Sequence, residues 1–254
     1  MVAGQYTYSA ADCLGKGAWG SVYRATDADG NRVALKKMNK FQIESSADSY
    51  KKLESEILTL QQLDHPNIIK FIDVFRTEGN YYIVTEYVEG GEDLLKYMSS
   101  SKKCFTELVV VELWRQLLEG VDYLHEKGIM HRDLKLQNIL YISSARQVKI
   151  IDFGLAVPLE SRQPVGTQVG SPLFMSPQVL LSTPGGYSFK CDIWSLGVVF
   201  YYMLFGEGPY GIGGTVKHIQ QSIAAIQKGK FALPQSKLMS EPSLELVTKC
   251  MTYE

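Results

Sequence analysis

No two cysteines in this chain stand close enough to make a CxxC pair. Cys13, Cys104, Cys191 and Cys250 are scattered over 254 residues without metal-ligand spacing. That excludes a zinc ribbon, and it fits reduced thiols of the cytosol or nucleus better than a disulfide framework. Cys13 borders a candidate ligand loop but reads better as a half-buried structural thiol. An excess of one charge is also missing. The formal net charge is −1, so no nucleic-acid partner and no electrostatic docking on a membrane is expected. Long apolar runs are absent too. The most apolar stretch, Ile193 to Phe205, contains Ser195 and Gly197 and is too short to cross a bilayer, so it reads as a buried core helix. Met1 to Ala10 lacks the basic start and apolar run of a secretory signal. Val2 stands where N-myristoylation needs a glycine, and the C-terminus has no prenylation motif. The expectation is a soluble cytoplasmic or nuclear protein with no membrane insertion.

What is present divides into two parts. With 45% hydrophobic residues the chain can build one large core or two small domains. Tyr6 to Leu14, Val22 to Ala28 and Arg32 to Met38 are β-compatible, and Asp29-Gly30 signals a hairpin turn. Ser49 to Leu63 carries Leu53, Ile57, Leu60 and Leu63 at the spacing of an amphipathic helix. Ile68 to Phe75 and Tyr81 to Tyr87 complete five antiparallel strands around the turn Glu78-Gly79-Asn80. Glu89-Gly90-Gly91-Glu92 is a natural joint, and helices follow. Thr106 is an N-cap for a helix running to about Lys127, with Gly128 ending it. Ile193 to Phe205, Thr215 to Lys228 and Ser243 to Thr252 read as further helices.

The chemistry is concentrated in His131-Arg132-Asp133-Leu134-Lys135-Leu136-Gln137-Asn138 and in Lys149-Ile150-Ile151-Asp152-Phe153-Gly154. Asp133 is a carboxylate able to take a proton, with Lys135 two residues on. Asn138 and Asp152 are an amide and a carboxylate placed to hold a divalent cation. Phosphoryl transfer needs mainly positioning and charge neutralisation, which these residue types supply. Leu14-Gly15-Lys16-Gly17-Ala18-Trp19-Gly20-Ser21-Val22 lies between two predicted strands, where glycines let backbone amides approach phosphates. A dinucleotide fold would follow such glycines with a helix, and a Walker A loop would close on Gly-Lys-Ser/Thr; neither occurs here. The other reading of this loop is a glycine-rich turn without ligand. Lys36, in the strand Val33-Ala34-Leu35-Lys36, is either a surface lysine that snorkels or a phosphate ligand. If a ligand, its partner is Glu56 on the following helix, because Glu54 lies about 200° round and points away.

Taken in order, these motifs and Asp192-Ile193-Trp194-Ser195-Leu196-Gly197 resemble the eukaryotic protein kinase family over nearly the whole chain. The resemblance implies an α+β, bilobal fold: a strand-rich N-lobe over residues 1–87 and a mainly helical C-lobe over 88–254. It implies ATP and Mg²⁺ as cofactors and a protein substrate. Asp133 would accept the substrate hydroxyl proton, Lys135 steady the transferring phosphate, Asn138 and Asp152 hold Mg²⁺, and Lys36 with Glu56 orient ATP. Ile83 to Val88 resembles the hinge, with Thr85 as gatekeeper, the backbone of Glu86 and Val88 on adenine, and Glu92 reaching the ribose. Val22, Ala34 and Leu140 would sandwich the base, although in any fold they could be ordinary core residues. His131 reads as a packed core histidine, Arg132 as an anchor for an activation-segment phosphate, and Asp192 as either a helix N-cap or a buried brace for the loop's backbone. Lys135 and Gly170-Ser171-Pro172-Leu173-Phe174-Met175 resemble the serine/threonine type, with Ser171 bonding Asp133 and Lys135. The subfamily looks closest to the Unc-51-like or calcium/calmodulin-dependent kinases. Thr167, four residues before Ser171, is the expected regulatory phosphosite, ahead of Ser161 and Ser171.

Two departures weigh against a complete match. Ser176-Pro177-Gln178 stands where the family usually has Ala-Pro-Glu. The chain also stops before the arginine that pairs with that glutamate, so the helical lobe reads as truncated and the chain as a fragment of a longer protein. A missing pair leaves no lone buried charge. The rival reading from another class is a nucleotide-binding pseudokinase or scaffold module.

Overall fold

A computed structural model of the chain describes residues 1–17, 19–101, 104–158, 170–180, 188–209 and 239–252. It divides into two compact units, Met1–Glu89 and Gly90–Glu254.

The first unit is a six-stranded antiparallel sheet in the order β1-β2-β3-β4-β6-β5. Its strands are β1 (Val2–Ala3), β2 (Tyr6–Gly17), β3 (Gly20–Thr26), β4 (Arg32–Asn39), β5 (Phe71–Arg76) and β6 (Asn80–Glu86). The sequence predicts five. The sixth is β1, only two residues long, which turns through Gly4 to pair with Tyr6 and Thr7. So short a strand carries no periodicity to read. The strand expected from Ile68 begins at Phe71, although Ile68 and Ile69 are buried. The predicted turn at Asp29-Gly30 forms, because the Asp27 carboxylate accepts from the amides of Asp29 and Asn31. Two helices follow β4 where one is predicted. The short α1 (Lys40–Glu44) starts at Asn39, whose side chain accepts from the Gln42 amide (3.0 Å). The second, α2 (Ala47–Gln61), buries Leu53, Glu56, Thr59 and Leu60.

Alternation along the strands gives the sheet two unlike faces. Tyr23 and Ala25 of β3, Val33 and Leu35 of β4, and Tyr82 and Val84 of β6 join Tyr6, Tyr8 and Phe75 in one apolar cluster. Stacked rings run through it, Tyr6 on Phe75 (5.5 Å) and Phe75 on Tyr82 (4.7 Å). The intervening residues, Val22, Ala34, Lys36 and Thr85, share the other face.

The second unit is built on helices. After β7 (Gly91–Asp93) and α3 (Leu94–Ser101), α4 (Glu107–Glu126) buries Val110, Leu113, Trp114, Leu117, Val121 and Leu124 at helical spacing. Thr106 takes the N-cap position through its backbone, without a side-chain capping bond, and Gly128 leaves the helix in the left-handed region (φ 72°). β8 (Ile129–Met130), β9 (Ile139–Ile142) and β10 (Gln147–Ile150) come next, then β11 (Val157–Pro158) and a short α5 (Pro177–Leu180). The apolar stretch forms α6 (Lys190–Phe205), buried on nearly every side as the sequence predicts, and Gly206 ends it (φ 78°). Its carbonyl at Leu196 accepts from Trp114 Nε1 of α4 (3.1 Å). A Cβ on Gly197 would come within 2.9 Å of Cys250 and Met251, so glycine lets α7 (Glu241–Cys250) pack close. Among the described residues no helix is long and apolar enough to cross a membrane. The helix predicted over Thr215 to Lys228 lies outside the described residues.

Candidate active site

In the second unit, β8 and β11 pair antiparallel, and β9 with β10 forms a hairpin. The two chemistry-bearing loops leave the ends of these strands. The first, residues 131–138, is pinned by Leu134 and Leu136, both fully buried. It closes in a 3-10 turn over Leu136–Asn138. The Ile151 amide donates to the Asn138 carbonyl (2.9 Å), tying the Asp152 loop to it.

Asp192, in the first turn of α6, is wholly buried and is not an N-cap. Its Oδ2 accepts from the His131 amide and its Oδ1 from the Arg132 amide, both at 2.9 Å. This is the buried brace. His125 Nε2 lies 2.9 Å from the same Oδ2, a partner that sequence reasoning missed. His131 is fully buried against Phe153, and its Nδ1 accepts from the Asp133 amide (3.2 Å). Its Nε2 makes no close hydrogen bond, although the Ile151 carbonyl adds a weak raising pull on the ring. Burial pushes its pKa down, against the raising pull of Asp192, Asp133 and Asp152. The ring is neutral and structural.

Asp133 has two unlike oxygens. Oδ2 accepts from Lys135 Nζ (2.6 Å) and from Asn138 Nδ2 (2.9 Å). Oδ1 is buried and unpartnered. A buried carboxylate oxygen without a donor costs free energy unless something outside the chain completes it. Because Asn138 gives its Nδ2 to Asp133, its Oδ1 is left as an acceptor for a cation. Asp152 is exposed on its loop in the left-handed region (φ 64°), with Oδ1 accepting from the Gly154 amide. Ser171 makes no side-chain bond to Asp133 or Lys135, contrary to expectation. The backbone of Gly170 stands against Asp133 instead: a Cβ there would lie 2.8 Å from the Arg132 carbonyl and 3.3 Å from Asp133 Oδ1. Arg132 Nε donates to the Leu155 carbonyl (2.6 Å). Leu140, on β9, is half-buried between buried neighbours. Glu92, on β7, pairs with Lys96 (3.0 Å). Ser176 is buried and its hydroxyl has no partner, while Gln178 is half-buried. Thr167 and Ser161 lie outside the described residues. Among the described residues no cluster of three or more His, Cys, Asp or Glu side chains makes a metal centre.

In the first unit, Lys36 Nζ meets Glu56 Oε1 at 2.5 Å, and Glu56 is only 6% exposed, whereas Glu54 faces solvent. The helical phase therefore chooses Glu56, and the snorkelling alternative for Lys36 falls. Val22 and Ala34 lie on the same sheet face as Lys36. They, Thr85 and Val88 are half-exposed, and Leu14 is 51% exposed, beside fully buried Leu35 and Val84. The apolar surface on the Lys36 face is thus only partly covered. The Glu86 amide donates to Lys70 O (2.9 Å), and the Glu86 carbonyl accepts from Thr85 Oγ1 (3.5 Å).

The glycine-rich loop is the β2–β3 hairpin, with Lys16 opposite Ser21 and Gly17 opposite Gly20. A Cβ on Gly15 would meet nothing within 4 Å, and one on Gly17 only the Gly20 carbonyl at 4.0 Å. No protein group demands these two glycines. Gly20 differs, since a Cβ there would lie 2.1 Å from the Lys37 carbonyl. Trp19 is half-buried, and Ala18 lies outside the described residues.

Residues 8–254 match the protein kinase domain family. Calcium-dependent protein kinase 5 of Plasmodium falciparum is 33% identical over 248 residues, 94% of this chain and 41% of that protein. Calcium-dependent protein kinase 4 of the same organism is 34% identical over 97% of this chain and 46% of its own length. Myosin light chain kinase 3 of Rattus norvegicus is 38% identical over 100% of this chain and 31% of its own length. The chain therefore spans less than half the length of these curated relatives. Its motifs, its mixed α+β architecture and these matches agree: the chain belongs to the protein kinase domain family.

Proposed function

We propose that the chain transfers the γ-phosphoryl group of ATP to serine or threonine hydroxyls of protein substrates with Mg²⁺ as cofactor. The observation that carries the reading is the asymmetry of Asp133, whose Oδ2 is held by Lys135 and Asn138 while Oδ1 is buried and unpartnered. In this reading Oδ1 takes the proton of the incoming hydroxyl as its oxygen bonds the γ-phosphorus and the bond to the departing ADP oxygen breaks. Lys135, held at Asp133, balances charge beside the transferring group.

The donors suit Mg²⁺, which prefers one or two protein oxygens and completes its shell with water and phosphates. Asn138 Oδ1 and the Asp152 carboxylate would hold it, and when bound it neutralises the charge developing on the phosphates. Lys36, fixed by Glu56, meets the α- and β-phosphates. The open space over Gly15 and Gly17 admits them to the amides of Leu14 to Val22. Val22 and Ala34 of the first unit contact adenine, which bonds the backbone of Glu86 and Val88 past Thr85, and Leu140 is the residue that the second unit would offer to the base. Glu92, whose Oε1 pairs with Lys96, reaches the ribose. Thr167 remains the proposed phosphosite and Arg132 its receiver; equal rates for Thr167→Ala and for protein phosphorylated there would remove it.

Phosphoamino-acid analysis after transfer from labelled ATP tests the reading. Phosphoserine and phosphothreonine are expected from the parent, with loss in Asp152→Asn and in Lys36→Met. Thermal stabilisation by Mg²⁺ and ATP without any transfer would make the chain a nucleotide-binding pseudokinase.

A further inference from the structure

The glycine-rich hairpin is held at Gly20 and Ser21 against β4, while Gly15 and Gly17 bring no side chain to pack. Gly15, Gly17 and Gly20 carry no side chains, Lys16 is exposed, and among the described residues nothing lies within 4 Å of a Cβ built on Gly15. The one large side chain there is Trp19. It is half-buried, and Lys52 Nζ of α2 lies over its ring, 5.8 Å from the centroid. An ammonium at that range is attracted by the negative face of the indole.

Lys52 stands four residues before Glu56, so the two share one face of α2. Asp48, four residues earlier still, pairs with Lys52 (2.6 Å). The face thus reads acidic, basic, acidic. Its last member holds Lys36 and its middle member meets Trp19. One helix face therefore touches both groups assigned to the phosphates, the lysine directly and the loop through its tip. A turn of α2 that parted Glu56 from Lys36 would also carry Lys52 away from the indole.

We propose that Trp19 and Lys52 are a positioning pair that couples the phosphate-binding hairpin to α2, so that loop and Lys36–Glu56 ion pair are ordered together. Neither side chain reacts. The pair acts through the loop amides, and the coupling rests on the ATP-dependent reading above. An exposed cation–π contact corresponds to about two- to fivefold in an equilibrium constant.

The test combines acrylamide quenching of tryptophan fluorescence without nucleotide with steady-state kinetics in ATP. Trp114 and Trp194 are buried, 6% and 2% exposed, so the quenchable emission belongs to Trp19. Lys52→Gln is expected to make Trp19 more quenchable and to raise the KM for ATP about two- to fivefold while kcat stays nearly constant. Lys52→Arg, which keeps a cation for the ring, restores both. Asp48→Asn, which breaks only the helix ion pair, leaves both at the parent values. Unchanged quenching in Lys52→Gln overturns the contact. A KM shift that Asp48→Asn reproduces, or that Lys52→Arg fails to reverse, overturns the coupling. A chain that neither binds nor turns over ATP defeats the functional reading instead, and quenching still decides whether the contact exists.

Discussion

Arg132 and Asp152 both occupy the left-handed region that non-glycine residues seldom adopt (φ 65° and 64°). Strain of this kind persists only where the surroundings over-determine it. For Arg132 they do, because its amide is fixed on Asp192 and its Nε on the Leu155 carbonyl. Gly170 presses on the same peptide, itself at φ 101°. Gly170→Ala must therefore displace the Asp133 loop, and a misplacement near 1 Å costs on the order of 100-fold in rate. The check is kcat of the variant beside its melting temperature; full activity would show that the close approach is incidental.

His131 makes a second prediction at this scale. Its folded pKa is depressed by burial below the unfolded value of about 6.5. Between those two values the unfolded chain binds more protons, so stability rises with pH there. It is fully present above about 6.5 and is lost as pH falls toward the folded pKa. Urea unfolding across that window should show a shallower acid-side loss in His131→Phe than in the parent. The variant should also lose about 1 kcal/mol throughout, with the acceptor for the Asp133 amide gone. Identical slopes would contradict the assignment.

Single residues also show what was legible in advance. Asp133, Lys135, Asn138 and Asp152 could be singled out because phosphate chemistry needs uncommon polar types at fixed spacing, and Glu56 because helical phase separates it from Glu54. His125 and the Gly170 contact could not. Each acts on a partner tens of residues away, with no local periodicity to announce it.

Among the elements, α6 was plain from its apolar composition, and the ends of α4 from Thr106 and Gly128. The forward shift of α2, the two-residue β1 and the five-residue α1 were not. Short elements are fixed by a cap or by a neighbouring strand, as α1 is by the Asn39 side chain. The start of α7 depends on another helix. Glu107, in the first turn of α4, accepts from the backbone and hydroxyl of Ser240, just before α7. Bonds from Ser240 and then Ser243 hold its pKa below the ordinary glutamate value. A depressed carboxylate stabilises above its unfolded pKa of about 4.3 and loses that contribution as pH falls through the lower folded value. Glu107→Gln should therefore speed hydrogen exchange in Glu241–Cys250 at neutral pH, and the difference from the parent should vanish in strong acid. A difference that stayed constant with pH would show that the carboxylate's charge does not matter there.

The molecule as a whole holds four cysteines and two compact units. All four cysteines are free thiols. Burial pushes Cys191 well above the ordinary thiol range and Cys250 up to about 11, so both stay protonated and unreactive at neutral pH. The two compact units meet in the chain at Glu89 and Gly90, inside the Glu89 to Glu92 joint. Each carries its own share of the proposed chemistry: the glycine hairpin, Lys36 and Glu56 in the first, Asp133, Lys135, Asn138 and Asp152 in the second.

Asp133 is assigned to phosphoryl transfer, and transfer of label from ATP decides that role. Parent chain and Asp133→Asn are incubated with γ-labelled ATP, Mg²⁺ and casein, and ATP affinity is measured for both. Label on casein is expected with the parent, with a loss of at least about 100-fold in the variant, as for removing a general base, and with ATP affinity nearly unchanged. Equal transfer by the two proteins would contradict that role.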